Sequence, residues 1–303
     1  MDFHHLRTFV AVAEEGNLTR ASERLFTSQP AISAHIKALE EELGVTLFER
    51  TPRGMVLTRG GERLLAQARD ALDALGRVSQ TARSIQGKVL GTARIGLNTD
   101  SRYLRVPELH GGLAGEHPDL VLELIQNISG CIVEDIRGGR LEAGFFFGLP
   151  AAGDITTLKL REARLRIAAP AAWRDRVLDA DWEALATLPW IFPTEQCPYI
   201  DLMRSLFPAG GPQPCKVVVA SGESAMNTLV RSGAGLTLIR EDEADEGLAD
   251  GSLLLLEGRV YTLPLCFGYA SRRAADPLVR ALVEAVRATW NLETEVPTAT
   301  DAI

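Results

Sequence analysis

The chain of 303 residues is short of cysteine, of aromatic residues and of long apolar runs. Its four cysteines, Cys131, Cys197, Cys215 and Cys266, follow neither a metal-ligand spacing nor a disulfide framework, so a cysteine-stapled miniprotein and a zinc module are excluded. Five histidines, at 4, 5, 35, 110 and 117, form no metal spacing with acids or cysteines, and no metal or other cofactor is expected. No stretch approaches the ~18 apolar residues of a membrane span. The longest apolar piece, Ala143 to Ala152, contains two glycines and a proline. The start, Met1-Asp2-Phe3-His4-His5, lacks the basic and apolar regions of a secretory signal, so a cytoplasmic protein without a membrane partner is expected.

What is present suits a folded chain of two or three domains, at roughly 100–200 residues each. Hydrophobic residues make up 46% and charged residues 24%, ordinary globular values. A net charge of −8 argues against nucleic acid until it is divided along the chain. Residues 1–90 carry twelve Lys and Arg against eleven Asp and Glu, and nearly all the acid excess follows them. A local basic stripe is enough for phosphate contacts, so the charge of the whole chain does not decide.

The first sixty residues read as three short helices. Asp2 caps the first, whose apolar stripe is Phe3, Leu6, Phe9, Val10 and Ala13, and Gly16 ends it. Asn17 or Thr19 starts the second, and Phe26-Thr27-Ser28 turns into the third. There Ser28 is the N-cap, Pro30 sits in the first turn, and Gly44 stops the helix. Ile32, Ile36, Leu39 and Leu43 form its inner face. The outer face presents Gln29, Ser33 and Lys37 at successive i, i+4 positions. Gln pairs with adenine, Ser with base edges, and Lys with guanine or phosphate, the pattern of a helix-turn-helix reader. The same face equally suits an ordinary solvated helix. Beyond it, Val45 to Phe48 and Met55 to Leu57 flank a turn at residues 51–54, a hairpin wing with Arg50 and Arg53 near its tip.

A helix from Thr58 to about Gln86 follows. Leu64, Ala71, Val78 and Ile85 recur every seven residues, with Leu65, Ala68, Leu72, Leu75 and Ala82 beside them. Such a stripe, on a helix of roughly 40 Å, predicts pairing with a second copy. Packing on the chain's own C-terminal part is the alternative. From Val89 to Trp290 strands and helices alternate, which predicts an α/β architecture with ligand sites at the carboxyl ends of the strands. Strands are expected at 93–97, 121–125, 143–147, 165–169, 190–192, 216–219, 236–239 and 261–269.

Enzyme readings fail on motifs. Gly222-Glu223-Ser224-Ala225-Met226 lacks the last glycine of a nucleophile elbow. Gly233-Ala234-Gly235-Leu236-Thr237-Leu238 lacks the third glycine of a dinucleotide fingerprint.

Residues 1–60 resemble the DNA-binding domain of LysR-type transcriptional regulators. The match runs through Leu6, Phe9, Ala21, Leu25, Ser28-Gln29-Pro30, Ser33, Ile36, Leu39-Glu40, Leu43-Gly44, Leu47-Phe48, Arg50 and Leu57-Thr58. The rest is similar to the family's effector-binding region through His117-Pro118-Asp119, residues 139–144, Leu188-Pro189-Trp190-Ile191 and residues 230–236. The resemblance implies three parts: a winged helix-turn-helix at 1–58, a dimerising linker helix at 59–87, and an effector-binding region at 88–303. The last would be two Rossmann-like subdomains like those of periplasmic solute-binding proteins. It also implies double-stranded promoter DNA and a small-molecule effector as partners, a homodimer that usually assembles into a tetramer, and RNA polymerase as a partner of an activator. On this pattern Gln29, Pro30, Ser33 and Lys37 would enter the major groove. Thr27 and Ser28 would meet phosphate, and Arg50 and Arg53 phosphate or the minor groove.

Three positions depart from the family pattern. Ala34 stands where arginine is common, with His35 next to it as a substitute contact. Glu142 replaces an aspartate, and Arg240 a proline, with the acidic run Glu241 to Glu246 behind it. For the effector, strand-end loops offer Thr99, Asp100 and Ser101, then Asn127, Ile128 and Ser129. The other subdomain offers residues 194–199, chiefly Thr194 and Cys197, together with residues 221–224, chiefly Ser221 and Glu223; Phe145 to Phe147, chiefly Phe147, supply an apolar wall. Asp100 and Glu223 would repel a carboxylate, which favours a neutral or cationic effector. Two other functions compete. Some members of this family sense peroxide through a cysteine pair, and Cys197 and Cys215 lie eighteen positions apart, although no basic cluster activates them. A solute-binding protein without a DNA role would use the C-terminal part alone.

Overall fold

The computed structural model describes residues 2–52, 54–84, 89, 91–151, 153–207, 210–258 and 260–292, in two compact units, Met1–Lys88 and Val89–Ile303.

In the first unit each helix starts and stops where its capping residues dictate. Helix α1 (Phe3–Glu15) has Asp2 accepting from the His4 amide at 2.7 Å and ends at Gly16 with φ +62°. Helix α2 (Leu18–Arg24) is capped by Asn17, whose side chain accepts from the Thr19 and Arg20 amides. Helix α3 (Gln29–Leu43) starts at Ser28, which accepts from the Ala31 amide, and stops at Gly44 with φ +65°. A cap of this kind contributes about 1 kcal/mol. The wing strands β1 (Phe48–Thr51) and β2 (Gly54–Leu57) pair antiparallel, Phe48 opposite Leu57. Leu6, Phe9, Val12, Ala21, Ile32, Ile36, Leu39 and Leu47 form the core. Glu40, in the acidic run at the end of α3, is structural: its carboxylate accepts from the amides of Leu47 and Phe48 and so fixes the start of the wing.

Helix α4 (Arg59–Ser84) is capped by Thr58, whose hydroxyl accepts from the Gly61 amide. Its stripe is divided between two uses. Ala68 is buried in the core of the unit, and Leu64, Leu65, Ala71 and Leu72 pack against that core. Among its described residues only Leu75 and Val78 turn large apolar surface to solvent, at 45% and 66% exposure. The side chain of Ala82 and the whole of Ile85 fall outside the described residues.

The second unit is built from two lobes. Strands β3 (Gly91–Leu97), β4 (Leu120–Gln126) and β5 (Ala143–Phe147) are parallel in the order β4-β3-β5, with helices α5 (Val106–Glu116) and α6 (Ser129–Arg137) between them in the chain. Strand β6 (Ile155–Pro170) leads into the second lobe. That lobe carries α7 (Arg174–Val177), α8 (Trp182–Thr187), β7 (Pro189–Pro193), α9 (Tyr199–Leu206), β8 (Cys215–Ala220), α10 (Glu223–Arg231), β9 (Thr237–Arg240), α11 (Asp245–Ala249) and β10 (Leu253–Leu255). Strand β7 pairs parallel with β8 and, through Trp190 and Leu236, with the start of β9. Strand β11 (Tyr261–Ala270) returns to the first lobe, pairing antiparallel with β6 and β5, and α12 (Pro277–Trp290) packs on α5.

The strand expected at 165–169 is thus the far end of a strand of 16 residues. Its first half pairs with β11 and its second half with β9 and β10. Together β6 and β11 tie the lobes below a cleft whose walls are the carboxyl ends of β3, β4, β5, β7 and β8. Glu142, the family departure before β5, is buried between Arg94 at 2.9 Å and Arg273 at 3.5 Å.

Candidate functional site

In the first unit, the outer face of α3 is free of the core. Thr27, Ser28, Gln29, Pro30 and Lys37 are exposed and Ser33 is half-buried. Lys37 lies 3.6 Å from Glu41, a surface pair of little energetic weight. His35 is turned toward α1 instead. Its Nδ1 lies 3.0 Å from the Thr8 hydroxyl, and its ring is 5.0 Å from that of His5. The structure therefore commits His35 to the helix pair, where the sequence offered it as a substitute contact beside Ala34. Arg50 is exposed on β1 opposite Met55, and Arg53 lies outside the described residues. Phe26, not singled out from sequence, stands 96% exposed in the turn before α3, at φ +52°. Its only signal was an apolar residue in a turn.

In the second unit, a cavity of about 300 Å³ lies between the lobes. The first lobe supplies Asn98, Gln126, Asn127, Ile128, Ser129 and Phe147; the second supplies Cys197, Tyr199, Ser221, Gly222, Glu223 and Met226. Seven of the eleven residues expected from sequence line it: Asn127, Ile128, Ser129, Phe147, Cys197, Ser221 and Glu223. Four do not. Thr99 is buried beneath, bonded to Glu223. Asp100 accepts from the Tyr103 amide and faces a separate acidic mouth. Ser101 is exposed in the turn after β3, and Thr194 is half-buried. Asn98, Gln126 and Met226 went unnamed, although each adjoins a strand-end loop that the sequence did mark.

A buried charge network underlies the cavity. The Glu223 carboxylate receives the hydroxyls of Thr99, at 2.6 Å, and Tyr199, and the guanidinium of Arg240. Arg240 is fully buried. It also donates to Thr99 at 2.7 Å, to Asp242 at 2.9 Å and to Glu243 at 3.0 Å, and lies 3.6 Å from Asp100. Its guanidinium carbon sits 3.8 Å from the centre of the Tyr103 ring. Burial alone would favour loss of its proton. The bond to Asp242 and the charge of Glu223 more than offset this, so Arg240 holds its charge more firmly than a free arginine. Burial and the Glu223 charge push the Tyr199 hydroxyl well up. The departure at 240 and part of the acidic run behind it are therefore one device. Glu241 pairs with Arg164 at 2.7 Å and Glu246 with Arg231 at 3.1 Å, which accounts for the rest of the acids that answer basic partners.

The cysteines are free, and burial pushes the Cys197 thiol up to about 11. That disfavours the thiolate a peroxide sensor needs. Among the described residues no group of three or more His, Cys, Asp or Glu is placed to hold a metal, and no helix is long and apolar enough to cross a membrane.

Comparison with known proteins agrees with both halves. The family described as bacterial regulatory helix-turn-helix protein, lysR family, matches residues 3–62, and the LysR substrate binding domain matches residues 86–291. The chain is 34% identical to the HTH-type transcriptional regulator TfdS of Cupriavidus pinatubonensis over 79% of its own length and 82% of that protein. It is 32% identical to the regulator ClcR of Pseudomonas putida over 88% and 91%. Among solved structures, full-length CbnR in complex with its target DNA matches with a TM-score of 0.63 at 25% identity, covering 95% of this chain and all of that one. ArgP from Mycobacterium tuberculosis matches in fold with a TM-score of 0.69 at 21% identity, over 96% and 97%.

Proposed function

The chain belongs to the LysR family of DNA-binding transcriptional regulators with an effector-binding domain, and on that premise we propose that a small molecule held between the lobes of its second unit switches its action on promoter DNA. The observation that carries this reading is the cavity of about 300 Å³ walled by loops of both lobes. A ligand that touches both walls binds one degree of closure better than another and so shifts an existing equilibrium between them.

On the DNA side, Gln29, Pro30, Ser33 and Lys37 read the major groove. Thr27 and Ser28 hold phosphate at the amino end of α3, and Arg50 holds the backbone from the wing. Leu75 and Val78 on α4 are the surface for self-association, which supports a dimer through this helix and a tetramer built from such dimers.

The test is a thermal-shift screen of the full chain against small metabolites, followed by DNA binding with each stabilising compound. A stabilising compound that alters DNA affinity or footprint, and whose shift disappears in Met226→Trp, supports the reading. Stabilising compounds that act equally on Met226→Trp and leave DNA binding unchanged contradict it.

A further inference from the structure

The charge balance and the unfilled hydrogen-bonding positions of the cleft define the chemistry of its occupant. Of the twelve described residues that line the cavity only Glu223 is charged, and no lysine or arginine is among them. Among the described residues the one cation that reaches the lining, Arg240, is shared by the carboxylates of Glu223, Asp242, Glu243 and Asp100. Four carboxylates about one guanidinium leave this network negative, and of the four Glu223 lines the cavity while Asp100, Asp242 and Glu243 line the separate mouth. Two further cations stand nearby: Arg161, 4.7 Å from the Tyr103 ring centre, and Arg102, in the acidic mouth with Asp245 and Glu246. Neither lines the cavity.

The unfilled positions are acceptors. The carboxylate of Glu223 receives Thr99 and Arg240 on Oε2 but only Tyr199 on Oε1, although a carboxylate offers about four acceptor positions. Asn98 Oδ1, in the cavity wall, is buried with no partner. At the start of α6 the Gly130 amide is engaged, donating to the Gln196 carbonyl at 3.1 Å, and α10 carries the negative charge of Glu223 in its own first turn. Phe147 and Tyr199, with ring centres 5.8 Å apart, add aromatic faces that attract a cation.

We propose that the ligand of this cleft carries a positive charge, an ammonium, amidine or guanidinium group on a partly apolar body, whose N–H groups meet Glu223 Oε1 and Asn98 Oδ1 beside the Phe147–Tyr199 ring pair. The proposal rests on the cleft reading above and adds the charge class of the ligand. Repulsion by Glu223 disfavours carboxylate effectors.

Cys197 lines the cavity and supplies a reporter in the unaltered chain. Full-length protein is treated with two methanethiosulfonates of similar size, the 2-(trimethylammonio)ethyl and the 2-sulfonatoethyl reagent. Their rates at Cys197 are read by peptide mass spectrometry and divided by the rates on a free thiol. The expected result is a preference of about tenfold for the cationic reagent, reduced in Glu223→Gln. Equal rates, or a preference for the sulfonate, overturn the assignment of charge and leave the cleft reading standing. A Cys197 that reacts with neither reagent until the protein is unfolded, at neutral pH and at pH 10 alike, overturns the cleft reading, and the proposal with it.

Discussion

The guanidinium of Arg240 in the second lobe lies 3.8 Å from the ring centre of Tyr103 in the first, and joins the lobes by a cation–π contact. The Thr99 hydroxyl crosses the same gap to Arg240 and to Glu223. Removing one partner of a buried pair leaves the other charge uncompensated, a loss of about 3–5 kcal/mol. Arg240→Ala is expected to lower unfolding free energy by that order, and Thr99→Val by about 1 kcal/mol. Urea denaturation of the two variants measures both.

Glu243 gives the network a pH dependence. Burial raises its carboxyl above the ordinary value, Arg240 opposes this, and the negative charges of Glu223, Asp242 and Asp100 raise it further. The folded protein therefore binds this proton more tightly than the unfolded chain. The resulting contribution is fully present below the unfolded value of 4.5 and is lost as pH rises through the folded value. Glu243→Gln is expected to show no such loss, so the melting temperature of the variant relative to wild type should rise between acid and neutral pH. A constant difference across that range would contradict this.

The wing depends on a close approach of two chain segments. At Gly54, with φ +126°, a Cβ would lie 2.3 Å from the Gly16 carbonyl oxygen, the same oxygen that accepts from the Met55 amide at 2.9 Å. At Gly44, with φ +65°, nothing lies within 4 Å. Both substitutions by alanine strain the backbone, by about 1–3 kcal/mol, but only Gly54→Ala also displaces the wing. Thermal unfolding should rank Gly54→Ala as the more damaging, and its DNA affinity should fall where that of Gly44→Ala holds.

Cys197, with its thiol pushed up to about 11, is expected to be alkylated slowly at neutral pH and progressively faster to pH 10 and beyond. Mild peroxide should leave the count of free thiols unchanged. Loss of two thiols together would restore the redox reading.

Local signals were legible from sequence wherever one residue type fixes one piece of backbone. Ser28, Pro30 and Gly44 gave the limits of α3, and the strand-end rule marked the loops that line the cavity. The first half of β6 was not legible, because Lys159, Arg161 and Glu162 interrupt its apolar positions and read as a surface loop. The stripe of α4 was legible as apolar, but not that its first half is spent on the unit's own core. Nor was the charge network. It joins positions 99, 100, 103, 199, 223 and 240, which only the folded lobes bring together, so Arg240 stood out only as an arginine in place of a proline.

The central claim is that α3 reads DNA sequence. Fluorescence anisotropy with DNA from upstream of the protein's own gene, and with unrelated DNA of equal length, tests it directly for wild type and for Gln29→Ala/Ser33→Ala across a range of salt. The account predicts tight, salt-steep binding of the upstream DNA by wild type, with the preference over unrelated DNA lost in the double variant. Equal preference in both proteins would contradict it, since α3 would then contact only the DNA backbone.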